Sequence, residues 1–320
     1  MGDNMLKNSE GLPTIICIVG PTASGKTKLS VELAKNLAAQ IISADSMQIY
    51  KELDIGTAKV TVDEMQGIKH HFIDICDLDE KYSVAKFKED CYKKIDELIS
   101  DNKNVIVAGG TGLYISAITK NMEFIEMEQT SNLKEELYEL AKKYSNHYVH
   151  DILKDLDEVA ALNIHPNNLK RVIRAIEYAK FGSVNKSEHL VNEAQKTLPQ
   201  KYDFKVFALN FDRKILYDRI NQRVDIMFEQ GLLEEAKMLY DKKLSKDYTC
   251  MQAIGYKELI EYFEGNKTLE EAKDLLKQNT RRYAKRQMTW FKKLDNVIWL
   301  DASLSTDELI DKIMEELNGK

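Results

Sequence analysis

Cysteine is scarce in this sequence, and the little there is has no pattern. Cys17, Cys76, Cys91 and Cys250 form no C-x-x-C pair. A zinc module or a disulfide framework is therefore not expected, and a reducing, cytoplasmic setting fits. Proline occurs 4 times and glycine 14 times in 320 residues, which argues against long disordered linkers. No apolar run approaches the length of a membrane span, so no membrane association is expected. The opening segment, MGDNMLKNSEGLPT, is polar and does not read as a secretory signal. Basic charge is also in deficit, with 46 lysines and arginines against 52 acids. A nucleic-acid binder is usually basic, so the balance taken whole speaks against one. The deficit is uneven, however. Residues 273–293, KDLLKQNTRRYAKRQMTWFKK, hold Asp274 as their only acid. Screening keeps charge contacts short-ranged, so a local basic surface can bind phosphates on an acidic protein.

What is present suffices to fold. Hydrophobic residues make up 43% of a chain long enough for one large core or two modest domains. TIICIV (14–19) reads as a strand, followed by a glycine-rich turn and a helical stretch with Leu29, Leu33 and Leu37 on one face. IISA (41–44) reads as a second strand ending at Asp45. Residues 82–101 read as an amphipathic helix, and VIVA (105–108) as a third strand before GGTG. Such alternation predicts an α/β fold with a parallel sheet and crossover helices. Residues 121–200 change to short, charged helical patterns. KVFALNF (205–211) reads as a strand returning to the sheet, and NVIWLD (296–301) as the last. The expected organisation is a core of 12–120 and 201–310, with a helical insertion at 121–200.

The strongest motif is GPTASGKT (20–27), which matches G-x-x-x-x-G-K-[ST] with a strand before it and a helix after it. Gly20 and Gly25 let the backbone curl so that amides around Thr22, Ala23 and Ser24 can face one anion. Lys26 adds positive charge, Thr27 offers a hydroxyl to Mg²⁺, and the helix terminus adds its dipole. A P-loop recognises a diphosphate or triphosphate, not ATP alone. A hydrolase of that class also needs an acid on a later apolar strand, and VIVAGGTG ends in glycines. Asp45, at a strand end in SADSMQIY, is a candidate proton acceptor or Mg²⁺ ligand; its bland alternative is an N-cap or surface acid. Ser46 and Gln48 carry donors and acceptors suited to a base edge.

The remaining constellations are weaker alone. Thr111 in GGTG would face the substrate if that turn lies beside the P-loop. Arg219 and Arg223 are four apart on one helix face and could clamp a leaving diphosphate, although spaced arginines are more often solvated. QAIGYKE (252–258) gathers an amide, a glycine and an aromatic. TRRYAKRQMTWF (280–291) interleaves arginines with Tyr283, Trp290 and Phe291, a pattern that suits phosphates and stacked bases, or else an amphipathic helix with core aromatics.

Together, GPTASGKT, SADSMQIYKELDIGTAK (43–59), HHFID (70–74), YSVAKF (82–87), GGTGLYI (109–115), NNLKRVIRAIE (167–177), QAIGYKE and TRRYAKRQMTWF resemble the bacterial tRNA dimethylallyltransferases. The resemblance implies a P-loop NTPase-like core with a helical insertion that closes over RNA, and a cytoplasmic enzyme, expected to be monomeric. It implies transfer of a dimethylallyl group from dimethylallyl diphosphate to N6 of adenosine 37 in the tRNA anticodon stem-loop, with Mg²⁺. The roles it implies are Asp45 as base, with Arg223 and Thr111 at the transfer centre. Gly20, Thr22, Ala23, Ser24, Gly25, Lys26, Thr27 and Arg219 would hold diphosphate, and Thr27 and Asp45 would hold the metal. RNA contacts would come from Asp45, Ser46, Met47 and Gln48, from Lys170, Arg171 and Arg174, from Gln252, Gly255, Tyr256 and Lys257, and from Arg281, Arg282, Lys285, Arg286, Gln287 and Trp290. Residues 121–165 match nothing in that pattern, and the zinc module of eukaryotic relatives is missing. A P-loop kinase of small metabolites and an isopentenyltransferase for free adenylates are the competing readings.

Overall fold

The computed structural model describes residues 5–124, 132–181, 198–245 and 248–319. Parts of the expected insertion, 125–131 and 182–197, lie outside the described residues. The chain folds as two units, one of Met1–Thr119 with Gln200–Lys320 and one of Lys120–Pro199.

The larger unit is built on a six-stranded parallel sheet. Its strands are β1 (Thr14–Val19), β2 (Ala39–Ser43), β3 (His70–His71), β4 (Asn104–Gly109), β5 (Asp203–Asn210) and β6 (Val297–Asp301), in the order β3-β2-β4-β1-β5-β6. This is the P-loop NTPase-like arrangement. TIICIV is buried throughout because β1 sits at the centre with helices over both faces. Ile15, Cys17 and Val19 pack with Phe87, Cys91 and Ile95 of the helix Val84–Ser100 and with Ile115 of the helix Gly112–Thr119. Ile16 and Ile18, on the opposite pleat, pack with Leu29 and Leu33 of α1 (Lys26–Leu37) and with the last helix, Thr306–Leu317. The sheet gains one strand that the sequence does not suggest. His70–His71 is too short to show a period, and it is fixed by pairing with Ile41 and Ile42 and by the contact of His71 Nε2 with Gln40 Oε1 at 2.8 Å.

Beyond β5 the chain is mostly helical. The helices here are Arg213–Glu229, Leu232–Asp241, Tyr256–Phe263 and the long Leu269–Phe291. Thr268 and Glu271 form a capping box that starts the long helix. That helix runs from the helical cluster, where Leu276 packs with Tyr50, Leu239 and Leu259, to the sheet core at Phe291. Glu235 organises the loop between β2 and β3. Its carboxylate accepts from the amides of Asp54 (2.8 Å), Ile55 (2.8 Å) and Gly56 (2.9 Å) and from the Tyr256 hydroxyl (2.6 Å).

The smaller unit has its own core. Helices Leu133–Lys143, Asn146–Leu156, Glu158–Asn163 and Leu169–Phe181 bury Leu137, Val149, Leu153, Val172 and Ile176 together.

Glu235→Ala would strip four donors of their acceptor at one point. We expect a loss of about 2–4 kcal/mol, since each buried unsatisfied donor costs more than a hydrogen bond contributes. Urea denaturation measures it, and a loss below about 0.5 kcal/mol would mean that the 54–56 loop holds itself.

Candidate functional site

Parallel strands deliver their loops to one edge, and ligands bind in α/β proteins at the carboxyl ends of the strands. Here the loops after β1, β2 and β4 surround a cavity of about 340 Å³. Thr22, Lys26 and Thr27 of the P-loop line it. Ala23 (φ 63°) and Gly25 (φ 84°) are left-handed, which curls the loop around the start of α1. For Ala23 that conformation is strained, as is common where a loop is shaped for a ligand. Gly25 caps α1 without any side-chain bond, so the first amides of the helix point free of side-chain acceptors. Ser24 turns inward, and its hydroxyl finds no partner among the described residues.

The Lys26 ammonium donates to the Pro21 carbonyl at 2.8 Å. Burial pushes it down to about 8, with Asp45 pulling it up and Arg223 pushing it further down. Arg223 also lines the cavity, and burial lowers its guanidinium from the ordinary value while Glu64 and Asp45 support its charge. Arg219 does not line the cavity. It is exposed and lies over the Phe211 ring at 4.9 Å.

Asp45 sits just beyond β2, at the cavity wall. Its Oδ1 accepts from the amides of Met47 (2.9 Å) and Gln48 (3.4 Å), and Oδ2 accepts from no donor among the described residues. The turn is braced from behind. The Ser46 amide donates to Thr111 Oγ1 at 2.9 Å, and that hydroxyl donates to Ser46 Oγ at 3.3 Å. Thr111 therefore holds the Asp45 turn and is not itself part of the cavity wall. Gln48 donates to the carbonyls of Ala58 (3.0 Å) and Thr57 (3.3 Å), which ties the same turn to the DIGTAK loop. Ser46, Met47 and Gln48 all line the cavity.

The long helix closes the other side with Thr280, Tyr283, Arg286 and Gln287. Burial pushes the Tyr283 phenol well above its ordinary value, and the charge of Asp45 adds to this. Arg282, Lys285 and Arg286 are exposed. Arg281 is engaged with Asn221 Oδ1 at 2.6 Å, which joins the helix to its neighbour. Trp290 donates to Ser116 Oγ at 2.8 Å and covers Gly112, where a Cβ would stand 2.5 Å from the indole. It nevertheless keeps 38% of its surface exposed. Gln252, Gly255 and Lys257 line the cavity. Tyr256 does not. It is wholly buried, its hydroxyl bound to Glu235, and presents no side-chain surface to an RNA. Packing against Gly56 takes up the ring that the resemblance assigns to RNA. Lys170, Arg171 and Arg174 are exposed on one helix of the smaller unit, with Arg174 over the Tyr178 ring at 4.8 Å. Val60, outside every motif, and His70 and Ile73, within HHFID but given no role, add to the wall beyond Asp45.

The described residues hold no group of three or more His, Cys, Asp or Glu able to bind a metal. Mg²⁺ commonly takes one or two carboxylates together with substrate phosphates, so it needs no such cage. Thr27 and Asp45, both at the cavity and one with a free carboxylate oxygen, suit a metal that arrives with a diphosphate.

Fold and cavity together define a P-loop α/β protein in which Lys26, Arg223 and Asp45 line one cavity. Comparison with known proteins narrows this. The IPP transferase family profile matches residues 48–294. A tRNA dimethylallyltransferase of Acetivibrio thermocellus is 48% identical over 302 residues, covering 94% of this chain and 96% of that protein. One from Bacillus licheniformis is 47% identical over 310 residues, with coverages of 96% and 98%. The solved structure of a tRNA isopentenylpyrophosphate transferase from Bacillus halodurans superposes with a TM-score of 0.72 at 44% identity, covering 96% of each chain. A eukaryotic dimethylallyltransferase acting on tRNA superposes with a TM-score of 0.80 at 28% identity, covering 96% of this chain and 80% of that one. The chain belongs to the IPP transferase family.

The position of Lys26 makes anion binding pH-dependent. A bound diphosphate favours the charged lysine, so its affinity contribution is complete below about pH 8 and is lost as pH rises through that value. We expect the ratio of inorganic diphosphate affinities, parent over Lys26→Met, to fall roughly tenfold per pH unit above 8. Calorimetry across pH 7 to 9.5 measures it, with the variant correcting for the ligand's own ionisation. A flat ratio would mean that Lys26 stays charged throughout.

Proposed function

We propose that the protein transfers the dimethylallyl group of dimethylallyl diphosphate to N6 of adenosine 37 in tRNA. The observation that carries this reading is the meeting of Lys26, Arg223 and Asp45 in one cavity. A cradle for a leaving diphosphate thus faces a group that can accept a proton. Family membership and the names of the relatives support the donor and the acceptor.

The adenine amino group is a poor nucleophile, because its lone pair is delocalised into the ring. It is also stacked in an anticodon loop and must be drawn out, which loops allow more readily than duplexes. In the proposed reaction Asp45 accepts a hydrogen bond from N6 and takes its proton as the new C–N bond forms. The allylic C–O bond breaks, and the electron pair leaves with the diphosphate. Lys26, the first amides of α1 and Arg223 meet the growing charge; the Thr22 amide is already taken by Gln287. Charge held in place before the reaction is often the largest catalytic contribution. A magnesium ion held by Thr27 and Asp45 would supply further neutralisation at the diphosphate. The exposed Arg282, Lys285 and Arg286 are suited to the phosphates of the RNA. The protein is proposed to work as a cytoplasmic monomer; no helix among the described residues is long and apolar enough to cross a membrane.

The reading is tested with labelled dimethylallyl diphosphate offered to tRNA, to AMP and to ATP in parallel. Label should enter tRNA. Label in AMP or ATP would favour a free-adenylate enzyme, and ATP turnover without RNA would favour a kinase.

Two substitutions test the roles. Asp45→Asn keeps the turn's acceptor but cannot take a proton, and should lower the single-turnover rate by ~10²-fold or more at any Mg²⁺ concentration. Restoration by high Mg²⁺ would reassign Asp45 to the metal alone. Neutralising Arg282, Lys285 and Arg286 together should weaken tRNA binding and flatten its salt dependence by about one unit of slope for each lost contact. An unchanged slope would place the RNA elsewhere.

A further inference from the structure

Gln287 belongs to the basic, aromatic stretch that suggests RNA, yet the fold gives it a different occupation. It is 5% exposed. Its Oε1 accepts from the Thr22 amide of the P-loop at 2.9 Å, and its Nε2 donates to the Gly110 carbonyl of the GGTG turn at 2.9 Å. The amide orientation is forced, because an N–H can only donate and a carbonyl only accept. No charged side chain could replace it. A carboxylate cannot donate to Gly110, and an ammonium or guanidinium cannot accept from Thr22.

The two loops so joined belong to the two partners of the reaction. The P-loop carries the anion cradle. One residue beyond Gly110, Thr111 holds the Ser46 amide at 2.9 Å, and Asp45 precedes Ser46. The connection therefore runs from cradle through Gln287 to the carboxylate. Gly110 makes it possible, since a Cβ there would stand 2.3 Å from Gln287 Nε2. The helix reinforces it on the same face, with Tyr283 one turn before at the cavity and Trp290 one turn after on Gly112.

We propose that Gln287 is a positioning residue that sets the spacing between the diphosphate loop and the proton-accepting turn. The proposal rests on the transfer reaction described above. Gln287 acts on the rate through geometry and makes no RNA contact. A displacement of about 1 Å between reacting groups can cost ~10²-fold in rate.

Three variants test this: Gln287→Met, which keeps the shape and loses both bonds; Gln287→Glu, which keeps only the acceptor; and Gly110→Ala, which displaces the glutamine from the opposite side. The single-turnover rate is measured with saturating donor and tRNA. Affinities for inorganic diphosphate and for an anticodon stem-loop are measured separately. We expect each variant to lose ~10–10²-fold in rate, with both affinities within about threefold of the parent. The Gln287→Met/Gly110→Ala double variant should be no slower than the worse single one, as for two changes to one interaction. Weakened stem-loop binding with a parental rate at saturation would make Gln287 an RNA contact and overturn the proposal. Parental rates in all variants would reduce it to a purely stabilising residue. If the Gln287 variants do not fold, Gly110→Ala decides by the same rate. A parent that transfers nothing to tRNA would refute the functional reading itself, and is distinguishable from these outcomes.

Discussion

A parallel strand can reach its neighbour only by crossing back over the sheet, so every strand here releases its chain at the same edge. The chemistry depends on that constraint. The P-loop follows β1, Asp45 follows β2 and the GGTG turn follows β4. These elements are distant in sequence, yet β4 lies hydrogen-bonded between β1 and β2. Helices cover both faces of β1, which leaves the edge as the place where polar groups can gather around a ligand.

Bringing loops to one edge does not hold them at a useful distance. Loop backbones carry unpaired donors and acceptors, and here side chains satisfy them in a linked set. Thr111 braces the Asp45 turn, Gln48 ties that turn to Thr57 and Ala58, and Glu235 gathers the amides of 54–56. Gln287 joins the P-loop to the GGTG turn. Apart from the exposed Asp54 amide these groups are buried or half-buried, and each of them would be costly to leave unpaired, which makes the arrangement stiff. The long helix supplies a tie to the sheet edge on one face and exposed basic residues on another.

Burial also bears on how an acidic chain could carry the proposed anion site. Lys26 and Arg223 are both depressed by desolvation, and both are supported by Asp45. The cavity thus keeps cations that bulk water does not stabilise, and an arriving anion relieves them. Long-range net charge has little part in this, since contacts decay within a Debye length of about 10 Å at 0.1 M salt.

The sequence by itself determined most of the sheet and the P-loop with its flanking strand and helix. Five of the strands announce themselves as short β-rich runs, and GPTASGKT carries its own context of strand and helix. Those signals are local, so they survive without a fold. What only the tertiary structure decided is which side chains face the site. Arg219 and Arg223 share a helix face in sequence, yet packing sends one over Phe211 and the other to the cavity. Tyr256 has the composition of a stacking residue, but Gly56 gives it room to pack against the protein itself. Gln287 reads as one polar residue in a basic run until residues 265 and 177 positions away become its hydrogen-bond partners. His70–His71 is a strand only because β2 offers it an edge. A side chain's role follows from what lies across from it, and that neighbour is set by the fold and not by the chain next to it.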